Sequence, residues 1–146
     1  MKQPTLILIT AVTLALSVAL FAQQKSKEAG PVGTWHLVSE KSNGRSFVLP
    51  DGERHVKIIT PTHFMWVAYD DSKKVISSSM DGSCSFTDGK YTEIIEFCYP
   101  ESMKDYVGKK QEFTVRVEGE KLYQSGKLSD GLQIEEVWER AKAPQK

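Results

Sequence analysis

Apolar and polar residues alternate with a period of two through most of the chain after residue 32. This alternation is typical of β-strands that bury one face. Segments with turn chemistry, such as YDDSK, FTDGKY, VEGEK and LSDGLQ, separate the alternating runs. The pattern predicts eight strands, at approximately Thr34–Lys41, Arg54–Thr60, His63–Tyr69, Lys74–Phe86, Tyr91–Cys98, Gln111–Glu118, Lys121–Leu128 and Leu132–Arg140.

The short connections predict how these strands are arranged. Consecutive strands that are joined by tight turns must be antiparallel neighbours. An open meander would leave two unpaired edges, and closing the sheet into a barrel removes both. We therefore expect an all-β fold, an eight-stranded antiparallel up-and-down β-barrel. It has at most one short helical turn, in the connection between residues 99 and 110.

The N-terminal segment has a different pattern. Lys2 precedes a run from Leu6 to Phe21 that is almost wholly apolar and shorter than the ~20 residues of a spanning helix. Small residues end the run, as in a cleavable secretory signal peptide. We expect an exported protein, in the periplasm or outside the cell, with no membrane span after cleavage. Its parts would be a signal peptide (1–22), a flexible lead-in (23–32), the barrel (33–141) and a C-terminal tail (142–146).

Charge and motifs narrow the possible functions. Loss of residues 1–22 leaves 18 basic and 19 acidic residues with no basic cluster, which argues against nucleic acid as a partner. The three histidines and two cysteines do not have the spacing of a metal site, and no catalytic motif is present. We expect no cofactor and no metal, and the pattern does not indicate an oligomeric state.

Two cysteines in a chain that we expect to be exported favour a disulfide. A tight Asp-Gly turn in FTDGKY would set Thr87 opposite Lys90, Cys84 opposite Glu93 and Cys98 opposite Ser79. The sulfurs would then be five residues out of step, ~16 Å apart, and on opposite faces. A disulfide needs Cα atoms within ~7 Å, so the register predicts two free thiols.

Residues at the two ends of the barrel segment are suited to closing the barrel. Gly33 and Trp35 begin the first strand, and Arg140 ends the last one. Pairing of these strands would bring the Arg140 guanidinium over the Trp35 indole, a contact worth ~0.5–2 kcal/mol. The indole would plug the end of the barrel, and Gly33 would let the chain bend beside it.

These features resemble the signature of the calycin superfamily, which includes lipocalins, fatty-acid-binding proteins and avidins. The segments GTWHLVS, VKIITPTHFMWVAYD, DGKYTEIIEF and IEEVWER are most similar to the lipocalin-like domain of small exported bacterial proteins. The resemblance implies an eight-stranded barrel with a ligand cup. The chain departs from true lipocalins in having no long C-terminal helix, and from fatty-acid-binding proteins in having no helix pair after the first strand. The haem-binding barrels use a late histidine, and no histidine follows His63.

Alternation also predicts the interior. In the fifth and last strands the more apolar sets contain Glu93 and Glu136, and hairpin register places Gln124 opposite Glu136. Which face of the His63–Tyr69 strand points inward stays open, because Trp66 shares a face with Lys57 and Met65 lies on the other. Candidate ligand-binding residues are Glu93, Glu136, Gln124, Tyr91, Phe97, Phe113 and Trp66.

Three functions remain open. The first is binding of a small, mainly apolar ligand, neutral or cationic. A fatty-acid carboxylate would need an inward basic residue, and no position that the alternation assigns to the interior above the barrel end is basic, unless Arg54 points inward. The second is a small-molecule enzyme that uses Glu93 and Glu136 as acid and base. The third is an interaction protein whose barrel is packed solid, with the two glutamates in a satisfied interior network.

Overall fold

A computed structural model describes residues 30–142 of the chain. The strands are β1 (Gly33–Ser42), β2 (Arg45–Phe47), β3 (Glu53–Ile59), β4 (His63–Asp70), β5 (Val75–Thr87), β6 (Lys90–Tyr99), β7 (Lys110–Glu118), β8 (Lys121–Lys127) and β9 (Gln133–Arg140), with one 3₁₀ helix, Glu101–Tyr106. The predicted signal peptide, most of the lead-in and all but the first residue of the predicted tail lie outside the described residues.

Eight of these strands form a closed barrel. From β3 to β9 each strand pairs antiparallel with the next, β3 pairs with β1, and the pairing of β1 with β9 closes the sheet. The expected eight-stranded antiparallel barrel is confirmed. The additional strand, β2, folds back on the end of β1 in what the sequence pattern treats as a loop, so it extends the barrel without joining the ring.

The tight turns set the register as their chemistry predicts. Asp88 and Gly89 both have positive φ, as a type I′ hairpin requires, and Thr87 pairs with Lys90. The same hairpin places Cys84 opposite Glu93. Gln124 lies opposite Glu136 across β8 and β9.

A β-bulge in β6 changes the facing of the residues that follow it. Asp81 pairs with Phe97 and Gly82 with Ile95, so Glu96 is an extra residue whose carboxylate accepts a hydrogen bond from the Ser83 amide at 3.1 Å. Phe97, predicted to face inward, is therefore turned outward and is 66% exposed.

The bulge also corrects the expected position of one thiol. Cys98 pairs with Met80 instead of Ser79, and it shares the face of Met80, which packs against the core. The expectation that the two thiols point to opposite faces is therefore wrong. Both cysteines are nevertheless free, because their partners on the neighbouring strands remain several residues apart.

One end of the barrel is closed by an aromatic plug. Trp35 is fully buried, and its Nε1 donates a hydrogen bond to the Pro31 carbonyl at 2.8 Å. The Arg140 guanidinium carbon lies 4.1 Å from the centre of the Trp35 ring. Gly33 has a φ of 152°, and a Cβ there would collide with the Arg140 guanidinium, so the position requires glycine.

The last residues of the predicted lead-in pack against the barrel. Pro31 is one of the most deeply buried residues, and Gly30 lies beside the Phe86 ring. The last residues before β1 thus pack across the closed end. Between residues 30 and 142, no helix has the length and apolar character to span a bilayer.

Candidate functional site

The β3–β4 pairing decides the face that the sequence pattern leaves open. Lys57 pairs with Trp66, and both point into the barrel with Ile59 and Phe64. Lys57 is only 4% exposed. The face that the sequence pattern leaves open thus contributes a basic side chain to the interior. Arg54, the other basic residue that could have faced the interior, is exposed. Its Nη1 donates a hydrogen bond to the Glu53 carbonyl.

Lys57 is held in a network of interior groups from other strands. Its Nζ lies 3.1 Å from Glu93 Oε1 and 3.2 Å from Gln124 Oε1. The same Nζ lies 5.3 Å from the centre of the Trp138 ring and 5.6 Å from that of Phe113. A buried ammonium needs a carboxylate and further acceptors to offset its lost hydration, and this network supplies them.

A cavity of about 190 Å³ borders this network, toward the end of the barrel that lies away from the Trp35 plug. Its presence shows that side chains do not fill the interior completely. The walls are aromatic and aliphatic side chains with a small group of charged and polar ones. The lining comprises Glu40, His55, Lys57, Phe64, Trp66, Met80, Glu93, Met103, Tyr106, Phe113, Gln124, Leu128, Leu132, Ile134 and Glu136.

The 3₁₀ helix contributes to the wall at the open end of the barrel. Met103 and Tyr106 reach the cavity from this helix. The Tyr106 hydroxyl donates a hydrogen bond to the Asp130 carboxylate in the β8–β9 turn. Partial burial and this bond raise the pKa of Tyr106 to about 12, and the bond lowers the pKa of Asp130. The bond ties the helix, which joins β6 and β7, to the neighbouring β8–β9 turn.

Glu136 is the most strongly perturbed carboxyl group of the cavity. It lies opposite Gln124 on one side and Glu40 on the other, and its Oε2 accepts a hydrogen bond from Trp138 Nε1 at 3.0 Å. Burial raises its pKa to about 7, although the Lys57 charge and the Trp138 bond act in the opposite direction. Glu136 is one of the residues that line the cavity.

Two buried donors have no protein hydrogen-bond partner among residues 30–142: the Tyr91 hydroxyl and Gln124 Nε2. An unsatisfied buried donor typically costs about 1–3 kcal/mol. Burial, followed by the charge of Glu93, raises the pKa of Tyr91 well above its usual range, so this hydroxyl keeps its proton. Gln124 is also one of the residues that line the cavity at the open end of the barrel.

A second cavity, of about 210 Å³, lies at the closed end. Tyr91 and Cys84 line it together with Phe86 and the 30–32 segment. The Cys84 thiol approaches the Thr60 carbonyl at 3.6 Å, and burial raises the pKa of the thiol. A neutral thiol of this kind is a poor nucleophile.

The structure brings most of the predicted site residues together. Glu93, Glu136, Gln124, Phe113 and Trp66 line the open-end cavity. Tyr91 lines the closed-end cavity instead, and Phe97 lies outside the barrel. Between residues 30 and 142, no group of three His, Cys, Asp or Glu side chains is placed to hold a metal ion.

Sequence reasoning missed Lys57, His55 and Glu40 as cavity residues. Lys57 alternates in phase with the apolar Ile59, which was an available signal, but the opposite face of the strand is equally apolar. Glu40 turns inward because a bulge follows Leu37 in β1, and no residue type marks that bulge. His55 is held by Glu53 Oε1 at 2.9 Å and meets the Trp66 ring edge-on.

Comparison with known proteins does not indicate a function for the chain. No protein-family model matches the chain, and no curated protein matches it. Among solved structures, the chain is similar to a crystal structure of an Asn-to-Ala variant of the fluorescent protein UnaG. The two are 12% identical with a TM-score of 0.37, over 77% of this chain and 97% of that one. At this level of similarity, the function has to be argued from the residues of the barrel itself.

Proposed function

We propose that this protein is an exported, lipocalin-like binding protein that holds a small, mainly apolar ligand in its cup. The observation that carries the proposal is the cavity of about 190 Å³ at the open end, with aromatic walls and a few convergent polar groups. The cavity is smaller than the ~300 Å³ at which sites for drug-sized ligands begin. The ligand is accordingly compact, such as a single substituted ring.

The charges of the cavity favour a neutral or cationic ligand. Lys57 is the one lysine of its lining, and this charge is already engaged by Glu93. Glu40 and Glu136 add two further carboxyl groups. The anionic head of a fatty acid would meet this negative excess without a free basic partner. The preference for a neutral or cationic ligand thus rests on the paired state of Lys57, although the cavity contains a basic residue.

The export part of the proposal rests on residues 1–22, whose pattern is that of a cleavable signal peptide. N-terminal sequencing of the protein from its exporting host tests it. We expect a mature chain that begins near Gln23. A full-length chain starting at Met1 and recovered from the cytoplasm would contradict export.

Native mass spectrometry of the mature protein, purified from that host, tests ligand binding. We expect a retained small molecule whose loss on denaturation restores the chain mass. Ala68→Trp, which would obstruct the interior, should abolish retention of the molecule. Ala141→Trp, beyond the last strand, is the matched control and should preserve it. Small apolar probes that quench Trp66 provide a second readout, because this indole lines the cavity. Absence of both a retained molecule and probe binding would contradict the proposal.

An enzyme remains the second candidate, and the environment of Glu136 favours it. A carboxyl group with a pKa of about 7 can donate and accept a proton at neutral pH. The test is whether the retained molecule is chemically converted when it is added to fresh protein. If so, Glu136→Gln should abolish conversion while binding persists; an unchanged molecule after long incubation would contradict catalysis.

A further inference from the structure

We propose that the cup selects a small ammonium compound with a hydrogen-bond acceptor beside its nitrogen. Glu136 binds the ammonium group, and Gln124 Nε2 donates a hydrogen bond to the acceptor. This inference rests on the proposed function, because it uses the same open-end cavity. It goes further by assigning the polar half of the ligand to two named atoms.

The orientation of the Gln124 amide is set by its neighbour. An ammonium group can only donate hydrogen bonds, so the amide atom that lies 3.2 Å from Lys57 Nζ must be the oxygen. The other end of the amide is therefore the NH₂ group. That group is buried, with Gln124 only 2% exposed, and it has no protein partner among the described residues. A ligand acceptor would remove the cost of this unsatisfied donor.

The Glu136 carboxyl group is suited to the complementary role. Trp138 donates to one of its oxygens, and no other described side chain donates to the group. Three glutamates, Glu40, Glu93 and Glu136, line the cavity against the single Lys57. A ligand cation would offset this excess and favour the ionised form of Glu136.

The spacing of the two groups defines what the ligand must present. Gln124 and Glu136 are direct partners across antiparallel β8 and β9, a relation that separates Cβ atoms by about 5 Å. Two side chains this close address ligand atoms that are only a few bonds apart. A vicinal amino alcohol or an α-amino amide has this arrangement. The aromatic side chains of Trp66 and Phe113 provide the wall for its apolar part.

The experiment compares four probes by calorimetry on the folded mature protein. These are 2-amino-1-phenylethanol, 2-phenylethylamine, which lacks the hydroxyl, 1-phenylethanol, which keeps that hydroxyl and lacks the ammonium, and phenylalanine, which is 2-phenylethylamine with an added carboxylate. We expect the amino alcohol to bind about 5-fold more tightly than the amine, as one net hydrogen bond would give. The neutral alcohol and the amino acid should each bind at least ~10-fold more weakly than the amino alcohol. The alcohol lacks the ammonium that Glu136 would bind, and the amino acid adds a carboxylate that the glutamates of the cavity would repel.

Two pairs of variants assign the effect to the named atoms. Gln124→Glu keeps an oxygen for Lys57 but removes the donor, so the preference for the amino alcohol over the amine should disappear. Gln133→Glu adds the same charge on the exposed face and should retain that preference. Glu136→Gln should remove the preference for amines over the neutral alcohol, whereas Glu135→Gln, on the outer face, should preserve it.

The outcomes separate the inference from the proposed function. Equal binding of the amino alcohol and the amine, or tightest binding of the neutral alcohol, would overturn the inference and leave a binding cup. Retention of the amine preference in Glu136→Gln would also overturn it. Failure of every apolar probe to bind the folded wild-type protein would overturn both.

Discussion

Lys57 and Glu93 place a complete ion pair inside a small barrel, with both side chains almost fully buried. Such a pair offsets its desolvation cost only while every member remains bonded. Gln124 completes the set by giving its oxygen to Lys57. At the scale of single residues, the interior is thus organised around one buried ammonium group, which borders the cavity with its aromatic and aliphatic walls.

Removal of one member of this pair should be costly. We expect Lys57→Met to lower the free energy of unfolding by about 3–5 kcal/mol, because it leaves Glu93 buried without its partner. The double variant Lys57→Met/Glu93→Gln should recover a large part of the loss. Urea denaturation of the two single variants and the double variant measures the coupling. A Lys57→Met protein with the wild-type midpoint and slope would contradict a buried pair.

Glu136 should make the stability depend on pH. Its pKa is about 7 in the folded barrel and 4.5 in the reference state, so the folded state holds the extra proton between these values. The stabilisation is fully present below pH ~4.5 and is lost as the pH rises through 7, amounting to at most about 3 kcal/mol. The charged groups that act on Glu136 are Lys57, Glu40 and Glu93.

The measurement is the free energy of unfolding of the wild type relative to Glu136→Gln at a series of pH values. We expect this difference to fall from pH 4.5 to 7.5 and then to level off. Glu135→Gln, on the exposed face of the same strand, should give a flat difference. A flat profile for Glu136→Gln as well would show that this carboxyl group has an ordinary pKa.

At the scale of elements, bulges determine which residues reach the cavity. The bulge at Glu96 turns Phe97 outward, and the irregularity after Leu37 brings Glu40 to the inner face opposite Glu136. The first bulge depends on Gly82, where a Cβ would collide with the Ile94 carbonyl and crowd the Glu96 amide. Close approach of two backbones is what glycine permits in a strand.

Gly82→Ala tests this packing. We expect a loss of about 1–3 kcal/mol in the free energy of unfolding, since the clash involves backbone that cannot rotate away. Gly30→Ala is the control, because its Cβ would meet only the Phe86 ring at 3.4 Å. Thermal unfolding followed by circular dichroism compares the two. Equal melting temperatures for Gly82→Ala and the wild type would mean that the strands separate readily at the bulge.

At the scale of the whole molecule, the barrel is closed where its first and last strands meet. The Arg140 guanidinium covers the Trp35 ring, and its Nη1 donates to the Val32 carbonyl at 3.3 Å. The contact joins residues from the two ends of the barrel segment. It also holds the segment that crosses the closed end, whereas the 3₁₀ helix lies beside the cavity at the other end.

Arg140→Ala should weaken this closure. We expect a loss of about 1–2 kcal/mol in the free energy of unfolding, from the lost stacking on Trp35 and the lost bond to the chain before β1. Arg116→Ala is a matched control: its guanidinium lies at the same 4.1 Å from an aromatic ring, that of Tyr123, but on the exposed outer face. That variant should lose less than half as much. Equal losses in urea denaturation would contradict a special role for the closure.

The parts of the fold that could be predicted are those that neighbouring residues along the chain determine. Strand alternation is set by the period of the backbone, and Asp88-Gly89 adopts its turn because of its own dihedral preferences. The Asp88-Gly89 turn places Cys84 opposite Glu93, and the separate LSDGLQ turn between β8 and β9 places Gln124 opposite Glu136, both without knowledge of distant residues. The half of the site on β6, β8 and β9 could therefore be predicted from the sequence.

The sequence by itself thus determined the eight strands of the barrel, their antiparallel order, the hairpin registers and the inward position of both Glu93 and Glu136. Only the tertiary structure decided that Lys57 lies inside, that Phe97 lies outside and that a cavity remains. Both faces of the β3–β4 pair are apolar enough to be buried, so the choice depends on packing against the remaining strands. The bulges and the cavity likewise arise from how side chains of distant strands fit together, and no local pattern of residues encodes that fit.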